Sequence, residues 1–186
     1  LLPLTENKGF AAGNNAAIRR SLNDNLKPVY YLLLNPDTIP QPRAIDTLVE
    51  FMDDHPRCGI AGSSLLDENH LPQTSAFRFP SILSELENGL RLGIASKLLS
   101  SWAVPLPPLN TPAKVGWVSG ASLIFRSQLI DDIGFMDEKF FLYYEEVDYC
   151  LKAQKTGWEC WSVPASKVVH LGSQSTQLNT QQNTPK

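Results

Sequence analysis

Residues 29–34, Val29-Tyr30-Tyr31-Leu32-Leu33-Leu34, form an unbroken apolar run that stops at Asn35-Pro36-Asp37. A run of this length between turn signals reads as a fully buried strand, the kind found in mostly parallel sheets covered by helices. A strand hidden on both faces needs a layer on each side, which commits the chain to an α/β architecture. Ligands of open α/β sheets sit just outside the carboxyl ends of the strands. Asp37 therefore stands where a ligand to a hard cation is expected. Asn, Pro and Asp are also ordinary turn formers, so a plain strand-ending turn explains the same residues equally well.

The remaining chain alternates helix and strand signals. Residues 7–15 form a loop rich in Gly and Asn, in which Asn14 or Asn15 would cap a helix propagated by Ala16, Ala17, Ile18 and Leu22. Glycines ahead of a helix let a ligand approach free backbone N–H groups, but the spacing matches no dinucleotide or P-loop fingerprint, and a tight turn with a cap fits as well. Residues 41–55 carry Ile45, Leu48, Val49 and Met52 at helical spacing behind Pro42, and His55-Pro56 ends that helix. Short strands are predicted at 58–62, 65–66, 158–163 and 167–171, and one longer strand at 115–126 with small residues Ser119-Gly120-Ala121 at its middle. Residues 81–101 read as a second amphipathic helix and 104–112 as a proline-rich connector. The plain reading is a helix on the sheet; a flap or a membrane-facing surface is the other. His55 and His70 read as a helix end and a loop.

Composition narrows the function. With 186 residues the chain is one domain or most of one, and a net charge of −3 argues against a general grip on nucleic acid. Cys58, Cys150 and Cys160 show no metal-ligand spacing and suit a reducing, cytoplasmic compartment as small buried hydrophobes. No apolar run approaches membrane-spanning length. From Gln174 onward the chain reads as a polar tail.

The most chemically suggestive stretch is residues 140–150. Phe140, Phe141 and Tyr143 precede Tyr144, and Glu145, Glu146 and Asp148 follow at the head of a predicted helix that Gly157 stops, with Val147, Cys150 and Leu151 inward. An aromatic wall against clustered acids is what a partly desolvated general base needs. Acids in a first helical turn also complement the helix dipole, so a structural account exists too.

Four separated pieces then line up in order: the 7–15 loop, the strand ending in Asn35-Pro36-Asp37, the segment running from Val118-Ser119-Gly120-Ala121 through Glu145-Glu146-Val147-Asp148, and His170 in Val168-Val169-His170-Leu171. In this order and spacing the chain resembles the family 2 inverting glycosyltransferases, with the rhamnosyltransferase-like and galactofuranosyltransferase-like members most similar, over nearly all of residues 5–175. The resemblance implies a GT-A fold, a Rossmann-like three-layer α/β sandwich that binds a nucleotide-diphosphate sugar, with the family's N-terminal strand and nucleotide-gripping acidic loop missing ahead of Leu1. It implies a domain over residues 1–175. Asp37 and His170 would hold a divalent cation, Mn or Mg. Glu146 would be the base, with Glu145 beside it at the acceptor side and Asp148 a supporting residue. Asn7, Gly9, Gly13, Asn15 and Asp37 fall on the donor side, and Trp117, Gly120 and Ala121 on the acceptor side. The partners implied are a nucleotide sugar, with rhamnose as the candidate sugar, and a saccharide or lipid-linked acceptor of a surface polysaccharide, met in the cytoplasm at the inner face of the membrane by peripheral contact.

The chemistry required agrees with those residue types. Transfer from a diphosphate needs a stabilised departing anion, which a cation supplies, and an activated hydroxyl, which a carboxylate supplies. Carboxylate plus imidazole suits Mn better than Mg. Glu stands at the base position where Asp is common, which lengthens the reach by a methylene, and Asn35 leaves the metal turn with fewer charges. A catalytically inert nucleotide-sugar-binding or scaffold domain of the same fold is the alternative. A glycoside hydrolase would also use two carboxylates but would leave Asp37 and His170 without a role.

Overall fold

The computed structural model describes residues 2–80 and 104–172. The helix expected at 81–101 and the tail from Gln174 lie outside the described residues. The elements run α1 (Phe10–Asn23), β1 (Tyr30–Leu34), β2 (Thr38–Pro40), α2 (Ala44–Asp54), β3 (Cys58–Leu66), β4 (Pro72–Gln73), β5 (Ala76–Phe77), β6 (Ala113–Lys114), β7 (Trp117–Val118), β8 (Ser122–Arg126), α3 (Gln128–Ile133), α4 (Glu145–Lys155) and β9 (Glu159–His170). The main sheet has the order β1-β8-β3-β9-β2, with β4 paired to β3 and β6 to β9, while β5 and β7 form a separate ribbon.

Alternation along the central strands sorts the apolar side chains into two packed layers. On one face Leu33, Ile60, Leu123, Phe125 and Cys160 meet Ala11 and Ile18 of α1, Leu129 of α3, and Tyr149, Cys150 and Ala153 of α4. On the other, Ala61, Ile124 and Val163 meet Leu48, Phe51 and Met52 of α2. This is the three-layer α/β sandwich expected. Arg126, at the end of β8, fastens the second layer: its guanidinium donates to the carbonyls of Met52, His55 and Cys58 and so satisfies the open C-terminal end of α2. All three cysteines are buried free thiols, as their sparse distribution implied.

The structure corrects several boundaries. The sheet is mixed rather than mostly parallel. Among the described strands only β3 and β9 pair in parallel, whereas β8 is antiparallel to both β1 and β3. β1 is packed on both faces, Tyr31 and Leu33 in the first layer and Tyr30 and Leu32 in the second, but less deeply than expected. It ends the sheet path, only Leu33 is fully buried, and the hydroxyls of Tyr30 and Tyr31 reach out to Asp53 and Ser21. The two short strands expected on either side of residues 164–166 are one strand, β9, broken by a bulge. The long strand expected at 115–126 is instead two, β7 and β8, separated by a turn at 119–121. Helix α1 starts at Phe10, ahead of Asn14 and Asn15. Gly9, at φ 91°, turns the chain, and the Phe10 N–H bonds the Phe141 carbonyl at 3.1 Å. In α4 the inward face is Glu145, Tyr149, Cys150 and Ala153, with Leu151 exposed, because the buried stripe follows i, i+4 from Glu145. Gly157 does stop that helix, at φ 93°.

Candidate active site

The turn that closes β1 is tight. Both the N–H and the hydroxyl of Thr38 bond the Asn35 carbonyl, at 3.1 and 2.6 Å. The chain then enters β2, whose Thr38 sits opposite His170 at the end of β9, while the Leu171 N–H bonds the Asp37 carbonyl at 2.9 Å. These backbone pairings bring two residues 133 positions apart into contact: His170 Nε2 lies 3.5 Å from Asp37 Oδ1, with both side chains partly sheltered.

The same turn is tied to a second one. The Asn35 N–H bonds the Ala121 carbonyl at 3.0 Å, so the 119–121 turn lies directly beside the Asp37 loop. A Cβ on Gly120 would stand 3.2 Å from the Phe10 ring and 3.8 Å from the carboxyl carbon of Glu146. Asp37, His170, Gly120 and Glu146 thus belong to one connected neighbourhood at the ends of β1, β8 and β9. Beneath it runs a buried hydroxyl chain. Ser122 Oγ contacts Ser63 Oγ at 2.8 Å, Ser63 contacts Ser166 Oγ at 2.8 Å, and Ser166 donates to the Ala44 carbonyl at 2.8 Å. Sequence reasoning missed these serines; their one signal was polar letters inside otherwise apolar strands.

Helix α4 supplies the acids. Glu145 is 4% exposed, and one oxygen of each of Glu145 and Glu146 is buried without a hydrogen-bond partner. Burial pushes the Glu146 carboxyl above its ordinary range and the Glu145 charge adds to this, while the backbone amides of Glu146 and Gly120 pull it back. A carboxylate in this state is a stronger base than one in water. Asp148 also has a buried oxygen, Oδ2, but this one lies 2.7 Å from the Lys152 ammonium one turn on. Of the aromatic wall expected ahead of the acids, Phe140 is half-buried whereas Phe141 and Tyr143 stand in solvent. Phe141, Leu142, Tyr143 and Tyr144 are 58%, 55%, 68% and 65% exposed. Tyr143 and Tyr144 hold left-handed backbone, with φ of 70° and 72°, a region that costs non-glycine residues on the order of 1–3 kcal/mol each.

No family model matches the chain. In sequence it is 29% identical over 192 residues to the N-acetylglucosaminyl-diphospho-decaprenol L-rhamnosyltransferase of Mycobacterium tuberculosis, covering 95% of this chain and 60% of that protein. It is 25% identical over 166 residues to rhamnosyltransferase WbbL of Escherichia coli (87% of this chain, 60% of that one). To the dTDP-rhamnosyl transferase RfbF of Shigella flexneri it is 25% identical over 179 residues (96% and 54%). In structure it superposes on GalNAc-T7, crystallised with UDP, GalNAc and Mn2+, with a TM-score of 0.61 at 11% identity, over 91% of this chain and 32% of that one. The fold is GT-A, and the sequence is rhamnosyltransferase-like. The chain spans about three-fifths of the length of the first of these relatives.

Within this GT-A fold the residues expected on the donor side divide. Asn7 is spent locally, its side-chain oxygen accepting the Gly9 N–H at 3.0 Å. Gly9 is required by the chain itself, since a Cβ there would lie 2.0 Å from the Phe141 carbonyl oxygen. Gly13, inside α1, has open space where a Cβ would be. Asn15 is 0% exposed; its amide donates to the Met136 carbonyl and to Glu138 and accepts from the Met136 N–H. It ties α1 to the loop before α4. On the acceptor side Trp117 stacks on Phe77 at 3.8 Å and donates to the Arg78 carbonyl, Ala121 is buried, and Gly120 borders Glu146. Among the described residues no group of three or more His, Cys, Asp or Glu side chains is placed to hold a metal ion. Asp37 and His170 are one hard and one borderline ligand. As a pair they fit a divalent cation that takes its other oxygens from a ligand and from water.

Proposed function

We propose that the chain is the catalytic part of an inverting glycosyltransferase that moves a sugar, rhamnose in the nearest reading, from a nucleotide diphosphate to a hydroxyl of a lipid-linked acceptor. The observation that carries this reading is the juxtaposition of the Asp37–His170 pair with the buried Glu146 carboxyl across the linked turns at 35–37 and 119–121. Glu146 accepts the proton of the acceptor hydroxyl as its oxygen bonds the anomeric carbon. The bond from that carbon to the diphosphate breaks with its electron pair leaving on the nucleotide, and the configuration inverts. A divalent cation held by Asp37 and His170 would supply a Lewis acid to the departing diphosphate. The charge of the neighbouring Glu145 favours a proton on Glu146. The lipid-linked acceptor is supported by the name of the mycobacterial relative, whose acceptor carries one sugar and a diphosphate on decaprenol.

The test is a screen of nucleotide sugars with Mn2+ or Mg2+ against full-length protein and a prenyl-diphosphate sugar. The expected result is transfer with inverted anomeric configuration by NMR. Donor binding without transfer from any nucleotide sugar would instead support the inert binding domain.

A further inference from the structure

Residues 141–144 sit between the candidate base and open solvent. Exposed apolar side chains scattered singly need no explanation, but Phe141, Leu142, Tyr143 and Tyr144 are consecutive. The segment is also held in place. The Phe141 carbonyl accepts the Phe10 N–H at 3.1 Å, its backbone packs against Gly9, and the Tyr144 carbonyl accepts the Asp148 N–H at 2.9 Å. Both tyrosines keep left-handed backbone in doing so. The result is an anchored ridge whose rings face outward, two residues from Glu146.

The occupant follows from the acceptor in the function proposed above, on which this inference rests. If one sugar and a diphosphate separate the reacting hydroxyl from the prenyl chain, the hydroxyl stands close above the bilayer. Glu146 must come within hydrogen-bond reach of it, so the side chains beside Glu146 must come down to the lipid surface. Their types suit that position. Tyrosine is favoured at headgroup level, and Phe and Leu bury at the acyl boundary. The local charge is compatible as well: Lys139 is exposed just before the ridge, and Glu138 is already engaged by Arg19 at 2.7 Å. Among the described residues no helix is long and apolar enough to cross a membrane.

We propose that residues 141–144 form a membrane-contact ridge that seats in the bilayer interface and sets Glu146 at the height of the acceptor hydroxyl. The experiment is flotation of full-length protein with phosphatidylcholine vesicles containing a minority of phosphatidylglycerol and no acceptor, comparing wild type with the Leu142→Ser/Tyr143→Ser variant. Wild type should float. The variant should partition at least about ten-fold more weakly, with a melting temperature no lower than wild type because both side chains are exposed. Transfer to a short-chain, water-soluble acceptor should be unchanged in the variant, while transfer to the same headgroup embedded in vesicles should fall. Absence of vesicle binding by wild type, or equal binding by the variant, overturns the ridge. Equal loss of transfer to both acceptors also overturns it, since the segment would then grip the saccharide. Ridge-dependent flotation without transfer to either acceptor would uphold the ridge and refute the glycosyltransferase reading.

Discussion

Replacing Glu146 by Gln separates what the carboxylate does for chemistry from what it does to the fold. The amide keeps the shape of the side chain but cannot take a proton, so transfer should fall by about 10²–10⁴-fold, the usual contribution of a general base. Stability should move the other way. One Glu146 oxygen is buried without a partner, and burial raises the carboxyl above its ordinary 4.5. A group with a raised folded value stabilises most when protonated. Below pH 4.5 both native and unfolded chains hold the proton and the charge costs nothing. As pH rises through 4.5 and then through the raised folded value, that stability is lost, and above the folded value the loss is constant. The glutamine has no such loss, and its N–H can also face the unpartnered oxygen of Glu145. We expect a gain of about 1 kcal/mol near neutral pH, or about 2–4 °C in a domain of this size, shrinking to nothing near pH 4. Melting curves of both proteins from about pH 4 to pH 8 measure it. A variant that melts at or below wild type near pH 8 would refute the buried-charge reasoning, and one that retains most turnover would remove Glu146 as base.

Three further outcomes follow from the same geometry. Asp37→Ala should weaken Mn2+-dependent donor binding by at least about ten-fold in calorimetry without lowering the melting temperature, and unchanged affinity would take Asp37 out of the cation site. Asn15→Ala leaves the buried N–H and carbonyl of Met136 unpaired and should cost about 2–4 kcal/mol in denaturant titration. Donor affinity of the folded fraction should stay the same, and a selective loss of affinity would restore Asn15 to the donor site. Gly120→Ala puts a methyl 3.2 Å from the Phe10 ring beside the Glu146 carboxyl, so it should cost only about 1 kcal/mol of stability while cutting kcat well beyond that. Equal small losses in both would mean that nothing reactive approaches the 119–121 turn.

How much of this was legible depended on whether local chemistry or distant packing decided each point. The strand end at Asp37, the helix head at Glu145 and the strand end at His170 were readable, because turn formers and periodicity mark them locally. Helix α1 was read five or six residues late, because its start is set by the Phe10 N–H reaching Phe141, more than a hundred residues away. The outward ridge was unreadable for a related reason. Apolar letters ahead of a helix usually mean core, and nothing local in the sequence marks residues 141–144 as exposed or Tyr143 and Tyr144 as left-handed. The role of Asn15 was misassigned because a capping residue and a buried tie share the same letter. Only the position of Met136 distinguishes them.

The bulge in β9 links the hydroxyl chain to the candidate cation site. Ser166 has one proton and gives it to the Ala44 carbonyl, so Ser63 must donate to Ser166 and Ser122 to Ser63. The direction of the chain is therefore fixed, and every hydroxyl proton in it is used inside the protein. It fastens Ser166 at the place where the ladder with β3 jumps, from Ser63 opposite Val163 to Ser64 opposite Lys167. An unbroken ladder would put Pro164 opposite Ser64 and Ser166 where Val169 now faces Leu66. The residue reaching the end of the strand beside Asp37 would then be Lys167 rather than His170. A lysine there would neutralise Asp37 and repel a cation, whereas the bulged register delivers an imidazole. The three extra residues at 164–166 thus decide the chemistry of the strand end, and the serines that hold them belong to the site although none of them reaches the Asp37–His170 pair.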